Sequence, residues 1–285
     1  MLALRIALFG TSLATIGSMT APSLASVASR ARALSDASTL GGAFESSFGD
    51  TARGWSNWLL EGRLMIGQYP HCQPAHPGPS GEEAYEHLAR VIDAGIDCFC
   101  CLQAELPPQD DGGAWPTTGI PLPDASDRER WPATFVRYAA EADAIALERQ
   151  HRSPRYLHYP ITDLSIPKDM DSLVSLLSRI IDHYEAGGGA VYLHCWGGRG
   201  RAGLVGACLL SLLRPELDDK SVLDLVQSAY DTRRGAAAMQ TELKRSPQTE
   251  PQRQFVRSFV RSVRTQCRYA NDLSMKDGGM PAGFM

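Results

Sequence analysis

Residues 191–213, VYLHCWGGRGRAGLVGACLLSLL, constrain this chain more than any other stretch, because they ask three things of the backbone in succession. The apolar residues Val191, Tyr192 and Leu193 read as a buried strand, a loop of glycines and arginines follows, and an apolar run with helical spacing closes it. Cys195 opens the loop and Arg201 ends it, with five residues between them that include Gly197, Gly198 and Gly200. Glycines let successive backbone N–H groups turn to one side, and a helix starting near Ala202 aims its positive end at the same point. The product is a cradle for an anion of phosphate size, in which the planar fork of Arg201 can take two oxygens. A cysteine at the focus of that field is favoured as the thiolate, the form that attacks.

His194-Cys195, five residues and then Arg201, with Gly198 as the internal glycine, resembles the HCxxGxxR signature of the cysteine-dependent protein tyrosine and dual-specificity phosphatases. The resemblance implies that Cys195 is a nucleophile and Arg201 a transition-state clamp, and that His194, Trp196, Gly197, Gly198, Arg199 and Gly200 line the substrate phosphate. His194 is expected to anchor the loop through ring hydrogen bonds, and Trp196 and Arg199 to point outward and shape substrate choice, with surface packing as the alternative for these two. Such chemistry needs an acid for the leaving oxygen. Asp163, in PITDLSIP just after a strand, is the candidate, and Pro160, Asp163 and Pro167 match the family's mobile acid loop. The alternative is an Asx-turn or cap. Gln248 and Gln252, in SPQTEPQRQFV, resemble the glutamine loop that positions water on the cysteinyl-phosphate; solvated amides are the alternative.

One residue departs from the pattern. The family places Ser or Thr after the arginine, where a hydroxyl assists the sulfur, and here the residue is Ala202, which points to slower hydrolysis of the intermediate. The resemblance implies no metal and no cofactor. Its first implied substrates are phosphotyrosine or mixed-specificity phosphoproteins; phosphoinositides, inositol phosphates or phosphoglucans, and a weakly active phosphate-binding module, are the alternatives.

Along the chain, strand candidates at 63–67, 96–102, 156–159 and 191–193 alternate with helical patterns at 82–93, 133–149, 170–185, 202–213, 221–232 and 252–268. This alternation predicts an α/β fold with a mostly parallel central sheet flanked by helices on both faces, and a site at the carboxyl ends of its strands. The stretch 103–132, rich in proline, glycine and aspartate, reads as loop. Glu105 and the Arg233-Arg234 pair read as solvated charges, or at most as a rim to the site.

Residues 1–48, rich in Ala, Ser, Thr, Leu and Gly with no acid before Asp36, read as a disordered targeting segment. A plastid or mitochondrial address is favoured, ahead of secretion. The phosphatase domain is then expected over 49–270, with a flexible tail at 271–285. Seven cysteines without metal-ligand spacing or a disulfide framework suit a reduced compartment. With 28 basic against 32 acidic residues, nothing argues for nucleic acid or stable membrane insertion, and the expected partner is a phosphorylated protein substrate. The oligomeric state is not legible.

Overall fold

The alternation of strands and helices yields a five-stranded sheet of order β1-β2-β5-β3-β4, built from β1 (Ser56–Leu60), β2 (Leu64–Gly67), β3 (Ile96–Gln103), β4 (Arg155–Ile161) and β5 (Ala190–His194). The computed structural model describes residues 21–34, 55–74, 81–150, 152–233 and 244–277. Strands β2, β5, β3 and β4 run parallel; only the edge strand β1 is antiparallel, folded back on β2 through a turn at Gly62, whose φ is +68°. The mostly parallel sheet is therefore as expected, while β1 is a strand that the sequence pattern did not mark.

Period-two alternation divides the core into two layers. Cys98, Cys100 and Leu102 of β3 face one side, with Leu193 of β5 and helices α1 (Leu24–Ala33), α5 (Met170–Glu185), α6 (Arg201–Leu213), α7 (Asp219–Asp231) and α8 (Glu250–Asp277). Phe99 and Cys101 face the other, with Tyr192, helices α2 (Glu82–Asp93) and α4 (Ala139–Gln150), and apolar residues of the 104–135 segment. All residues of α6 are buried, so it is apolar on every side rather than amphipathic. That burial fixes its N-terminus beneath the end of β5.

Three sequence expectations change. The segment 133–138 is extended rather than helical: Phe135 exchanges backbone hydrogen bonds with Ile120 at 2.8 and 2.9 Å, and Val136 N–H donates to Cys72 O. These long-range pairings override the local periodicity, and the helix begins at Ala139. The stretch read as loop holds a 3₁₀ turn (Gly112–Ala114) and a short helix, α3 (Ala125–Arg130), capped by Asp124. At the carboxyl end, α8 runs on through Asp277, past the expected boundary at 270.

The largest correction concerns residues 1–48, of which 1–20 and 35–48 lie outside the described residues. Leu24–Ala33 is a helix capped by Ser23, and it packs on α5, α6 and α8 through buried Val27, Ala28 and Ala31. Arg30 fastens it to α5: Nε donates to Glu185 at 3.0 Å, one terminal nitrogen donates to Ser178 at 3.1 Å, and the other pairs with Asp182. Small residues at 28 and 31 let the helix lie close, which is why alanine-rich composition here means packing and not disorder. Replacing Ala31 with Glu drives a charge into this closed contact and is expected to cost about 3 kcal/mol of stability. Arg30→Ala, at a part-exposed pair, is expected to cost under about 1 kcal/mol. Thermal unfolding of the two variants checks both.

Candidate active site

Strand β5 delivers Cys195 at its carboxyl end and α6 begins at Arg201, so the phosphate-sized loop spans the strand-to-helix junction at the centre of the sheet. Two glycines make the junction possible. Gly198 has φ +64°, and a Cβ there would lie 2.1 Å from the Gly67 carbonyl carbon, so the loop rests directly on the end of β2. Gly67 in turn leaves room for Tyr192, whose hydroxyl passes beneath it to donate to Gln68 O at 2.9 Å.

The loop's carbonyls point away from the cradle toward donors on its outer side. Tyr69 N–H donates to Trp196 O at 3.1 Å, and the Ser246 hydroxyl and Gly203 N–H donate to Arg199 O at 3.0 and 3.2 Å. Leu204 N–H donates to Gly200 O at 2.9 Å as the first bond of α6. The amides of Gly197, Gly198, Gly200 and Arg201 meet no protein acceptor among the described residues, which leaves them for an anion.

Cys195 and Arg201 are both buried, at 3% and 1% exposure. Burial works against the Arg201 cation, but the charge at the Cys195 sulfur and the Glu105 hydrogen bonds raise its affinity for the proton above the ordinary arginine value. Its two terminal nitrogens bind Glu105 in a fork at 2.8 and 3.0 Å, and one also donates to Ile161 O at 3.0 Å. The second lies 3.1 Å from Asp163 Oδ1. Its Nε–H is buried with no acceptor among the described residues. The carboxylate fork thus fixes one edge of the guanidinium and presents the other edge, an orphan donor, to whatever occupies the loop.

Glu105 was read from sequence as a solvated charge, and the structure corrects this. Burial pushes its carboxyl up, yet the hydrogen bonds and charge of Arg201 outweigh burial and hold it below the usual carboxylate range. Nothing local marks the residue, because only the path of the chain beyond β3 brings it to Arg201. Asp163 follows β4 in the turn Thr162 to Ser165, where Leu164 has φ +60°. It is half exposed, with its carboxylate on the open side of Arg201.

His194 is fully buried and pushed down to about 3, chiefly by burial, so it is neutral at physiological pH. Its Nε2 shares a 2.8 Å hydrogen bond with the Tyr138 hydroxyl, an arrangement that holds the strand end in place. Trp196 does not project freely from the loop as expected. Its Nε1–H donates to Pro74 O at 3.0 Å, and its ring packs edge-on against Phe135 and Trp131. Arg199 is half-buried, and the exposed residue of the loop is Gly197.

The two glutamines differ. Gln252 is fully buried, its Oε1 accepting from Gln248 N–H and Thr249 N–H at 3.0 and 3.1 Å, its Nε2 donating to Ser165 O at 3.0 Å. Gln248 keeps its amide uncommitted among the described residues, and a Cβ on Gly200 would lie 3.3 Å from its Oε1. Cys101 pairs in register with His194, next to the loop cysteine. Burial pushes its thiol up to about 12, as it does that of Cys98, so both are core thiols. Of the Arg233-Arg234 pair, Arg233 lies buried beneath the loop rather than on a rim, and Arg234 lies outside the described residues.

A family model described as "Swiss Army Knife protein, DSP-PTPase phosphatase domain" matches residues 141–256, which contain Asp163, the loop and both glutamines. Residues 141–256 are thus similar to phosphatase domains of the dual-specificity and tyrosine type. A curated relative, "Putative tyrosine phosphatase 067L" of Invertebrate iridescent virus 3, is 29% identical over 127 residues, covering 44% of this chain and 52% of its own length. The chain thus spans about half the length of the curated relative it matches. Among solved structures, Tk-PTP in its active form aligns at 19% identity and TM-score 0.41, covering 72% of this chain and 96% of the other. PTPMT1 aligns at 12% identity and TM-score 0.42, covering 75% and 99%.

Two expectations test the geometry of the loop and of the glutamine segment. Gly198→Ala must move the loop off β2 and is expected to cost about 2 to 3 kcal/mol and to abolish binding of inorganic phosphate, read by thermal unfolding and calorimetry. Gln252→Ala, which leaves two amides and a carbonyl without partners, is expected to lower the melting temperature, whereas Gln248→Ala leaves it unchanged.

Proposed function

We propose that the chain is a phosphomonoester hydrolase that works through a cysteinyl-phosphate on Cys195, with phosphotyrosine or mixed-specificity phosphoproteins as substrates. The observation that carries this reading is the orphan Nε–H of Arg201, held by the Glu105 fork beside a loop of uncommitted amides and the Cys195 sulfur. Buried donors without acceptors are expensive unless an anion arrives to take them.

In this reading a phosphate dianion sits on the loop amides and on the free edge of Arg201, leaving phosphorus in line with Cys195. The thiolate attacks phosphorus, forming the S–P bond as the P–O bond to the leaving alcohol breaks, and Asp163 gives that oxygen its proton. Arg201 and the amides stabilise the equatorial charge throughout. Water then attacks the cysteinyl-phosphate; Asp163 takes its proton, the S–P bond breaks, and thiolate and inorganic phosphate are released. Gln248, free and adjacent to Gly200, is the better placed glutamine for that water, since Gln252 is committed to holding the acid turn. Ala202 offers the departing sulfur no hydroxyl.

We also place the chain in a plastid or mitochondrion, on the composition of its first residues. In this reading the packing of Leu24–Ala33 favours a cleavage ahead of Ser23 over one near residue 48.

Turnover of para-nitrophenyl phosphate and of a phosphotyrosyl peptide tests the reaction. Cys195→Ser is expected to abolish it, and Asp163→Ala to lower kcat about 10² to 10⁴-fold with little change in KM. Ala202→Ser is expected to raise kcat by speeding the second step. Wild-type protein no faster than Cys195→Ser would leave only a phosphate-binding module.

A further inference from the structure

A loop that turns its amides inward must turn its carbonyls outward, and buried carbonyls need donors. Tyr69, Ser246 and the first turn of α6 serve Trp196, Arg199 and Gly200. The two carbonyls at the loop's crown, Gly197 and Gly198, fall to a single side chain. Arg233, just past the end of α7, donates to Gly198 O at 3.0 Å and, more loosely, to Gly197 O at 3.5 Å. The same guanidinium donates to Ile66 O of β2 at 2.9 Å and, through Nε, to Asn57 Oδ1 of β1 at 2.6 Å. Its plane lies over the Tyr230 ring, 5.0 Å from the centroid.

Arg233 is 4% exposed, and no carboxylate lies within ion-pair distance of it among the described residues. The titratable and charged groups that face it are Tyr230, Tyr192, Cys195, Arg199 and His87. Of these, only Cys195 becomes an anion in the proposed cycle. A buried guanidinium without a counter-charge is costly. The anions that would balance this one are the Cys195 thiolate and a phosphate on the loop.

We propose that Arg233 is a positioning residue for the phosphate loop, tying the Gly197 and Gly198 carbonyls to β1 and β2 so that the loop amides and the Cys195 sulfur face one bound phosphate. This rests on the phosphatase reading above and deepens it. Arg201 meets the phosphate from the open side. Arg233 never touches it, and acts through the loop from behind.

The test compares Arg233→Met, Arg233→Lys and wild type, with Arg214→Met, at a buried arginine paired with Glu216 at the far end of α6, as the control for a merely structural loss. The readouts are calorimetric affinity for inorganic phosphate, the rate of iodoacetamide alkylation of Cys195 at fixed pH, and kcat and KM for para-nitrophenyl phosphate. Arg233→Met is expected to weaken phosphate binding about tenfold, slow alkylation, and lower kcat/KM about 100-fold. Arg233→Lys keeps the charge but not the fork, and is expected to recover alkylation more fully than phosphate affinity. Arg214→Met is expected to lower only the melting temperature.

If Arg233→Met remains folded by circular dichroism yet matches wild type in phosphate affinity and alkylation, or loses only thermal stability as the control does, the proposal is overturned. Should Arg233→Met fail to fold, Asn57→Ala, which frees the Nε anchor, is expected to move the same readouts in the same direction, and no movement overturns it. A wild type that binds phosphate in an Arg233-dependent way but turns nothing over sinks the hydrolase reading and leaves this one standing. Normal turnover by Arg233→Met sinks this one alone.

Discussion

A strand-to-helix junction that binds phosphate has to sort its backbone dipoles, with N–H groups on one side and C=O groups on the other, and the surrounding architecture here is arranged to hold that sorting in place. The amides need nothing from the protein, since the ligand supplies their acceptor. The carbonyls need donors from four separate segments: Tyr69 beyond β2, Arg233 beyond α7, Ser246 before α8, and the first turn of α6 itself. The loop is held from outside because the carbonyls of residues 196–200 each meet a donor, while its inward face stays open. This division explains why Gly198 can rest against the Gly67 backbone, with no side chain to separate them.

Two buried arginines flank the loop, and their environments are opposite. Arg201 is neutralised by Glu105 and approached by Asp163, so its charge is compensated before any ligand arrives and its orientation is set by the fork. Arg233 donates to carbonyl and amide oxygens and to no carboxylate among the described residues, so its charge is uncompensated before an anion arrives. The pair thus separates two tasks that one cation could not perform together. A geometrically fixed donor must be well paired, or it wanders; a source of positive potential must be unpaired, or its field is cancelled.

How much of this was legible in the sequence depends on how local each determinant is. Helices α2 and α5 begin and end as expected, because acids in the first turn, the Asp169 cap and a glycine past the end are all written within a few residues of each boundary. The Cys195 to Arg201 loop was legible for the same reason. Residues 133–138 misled because their apolar spacing suits a helix, while the partners that extend them, Ile120 and Cys72, are distant in sequence. Helix α1 was hidden because alanine and serine suit both a targeting segment and a close helix contact, and only the matching surface on α5, α6 and α8 distinguishes them. Glu105 and Arg233 carry no local mark at all. Each reaches the loop through a contact with a segment about 35 to 100 residues away in the chain.

The acid turn shows the same dependence on remote contacts. Its backbone leaves β4 through Leu164 in a left-handed conformation unfavourable for a branched side chain, so the turn does not hold its shape by local preference. What holds it is the carboxyl-terminal segment, where the Thr249 hydroxyl donates to Leu164 O at 3.3 Å and Gln252 Nε2 donates to Ser165 O at 3.0 Å. Gln252 also accepts two amides of the segment that carries Gln248, so one buried side chain ties the turn that carries Asp163 to that segment. The acid and the water site of the proposed reaction would thereby be built as one unit on the open face of Arg201, with the loop and Arg233 as the other unit behind it. In the proposed cycle phosphate binds at the seam between them, and the shared amide of Gln252 links the acid turn to the Gln248 segment.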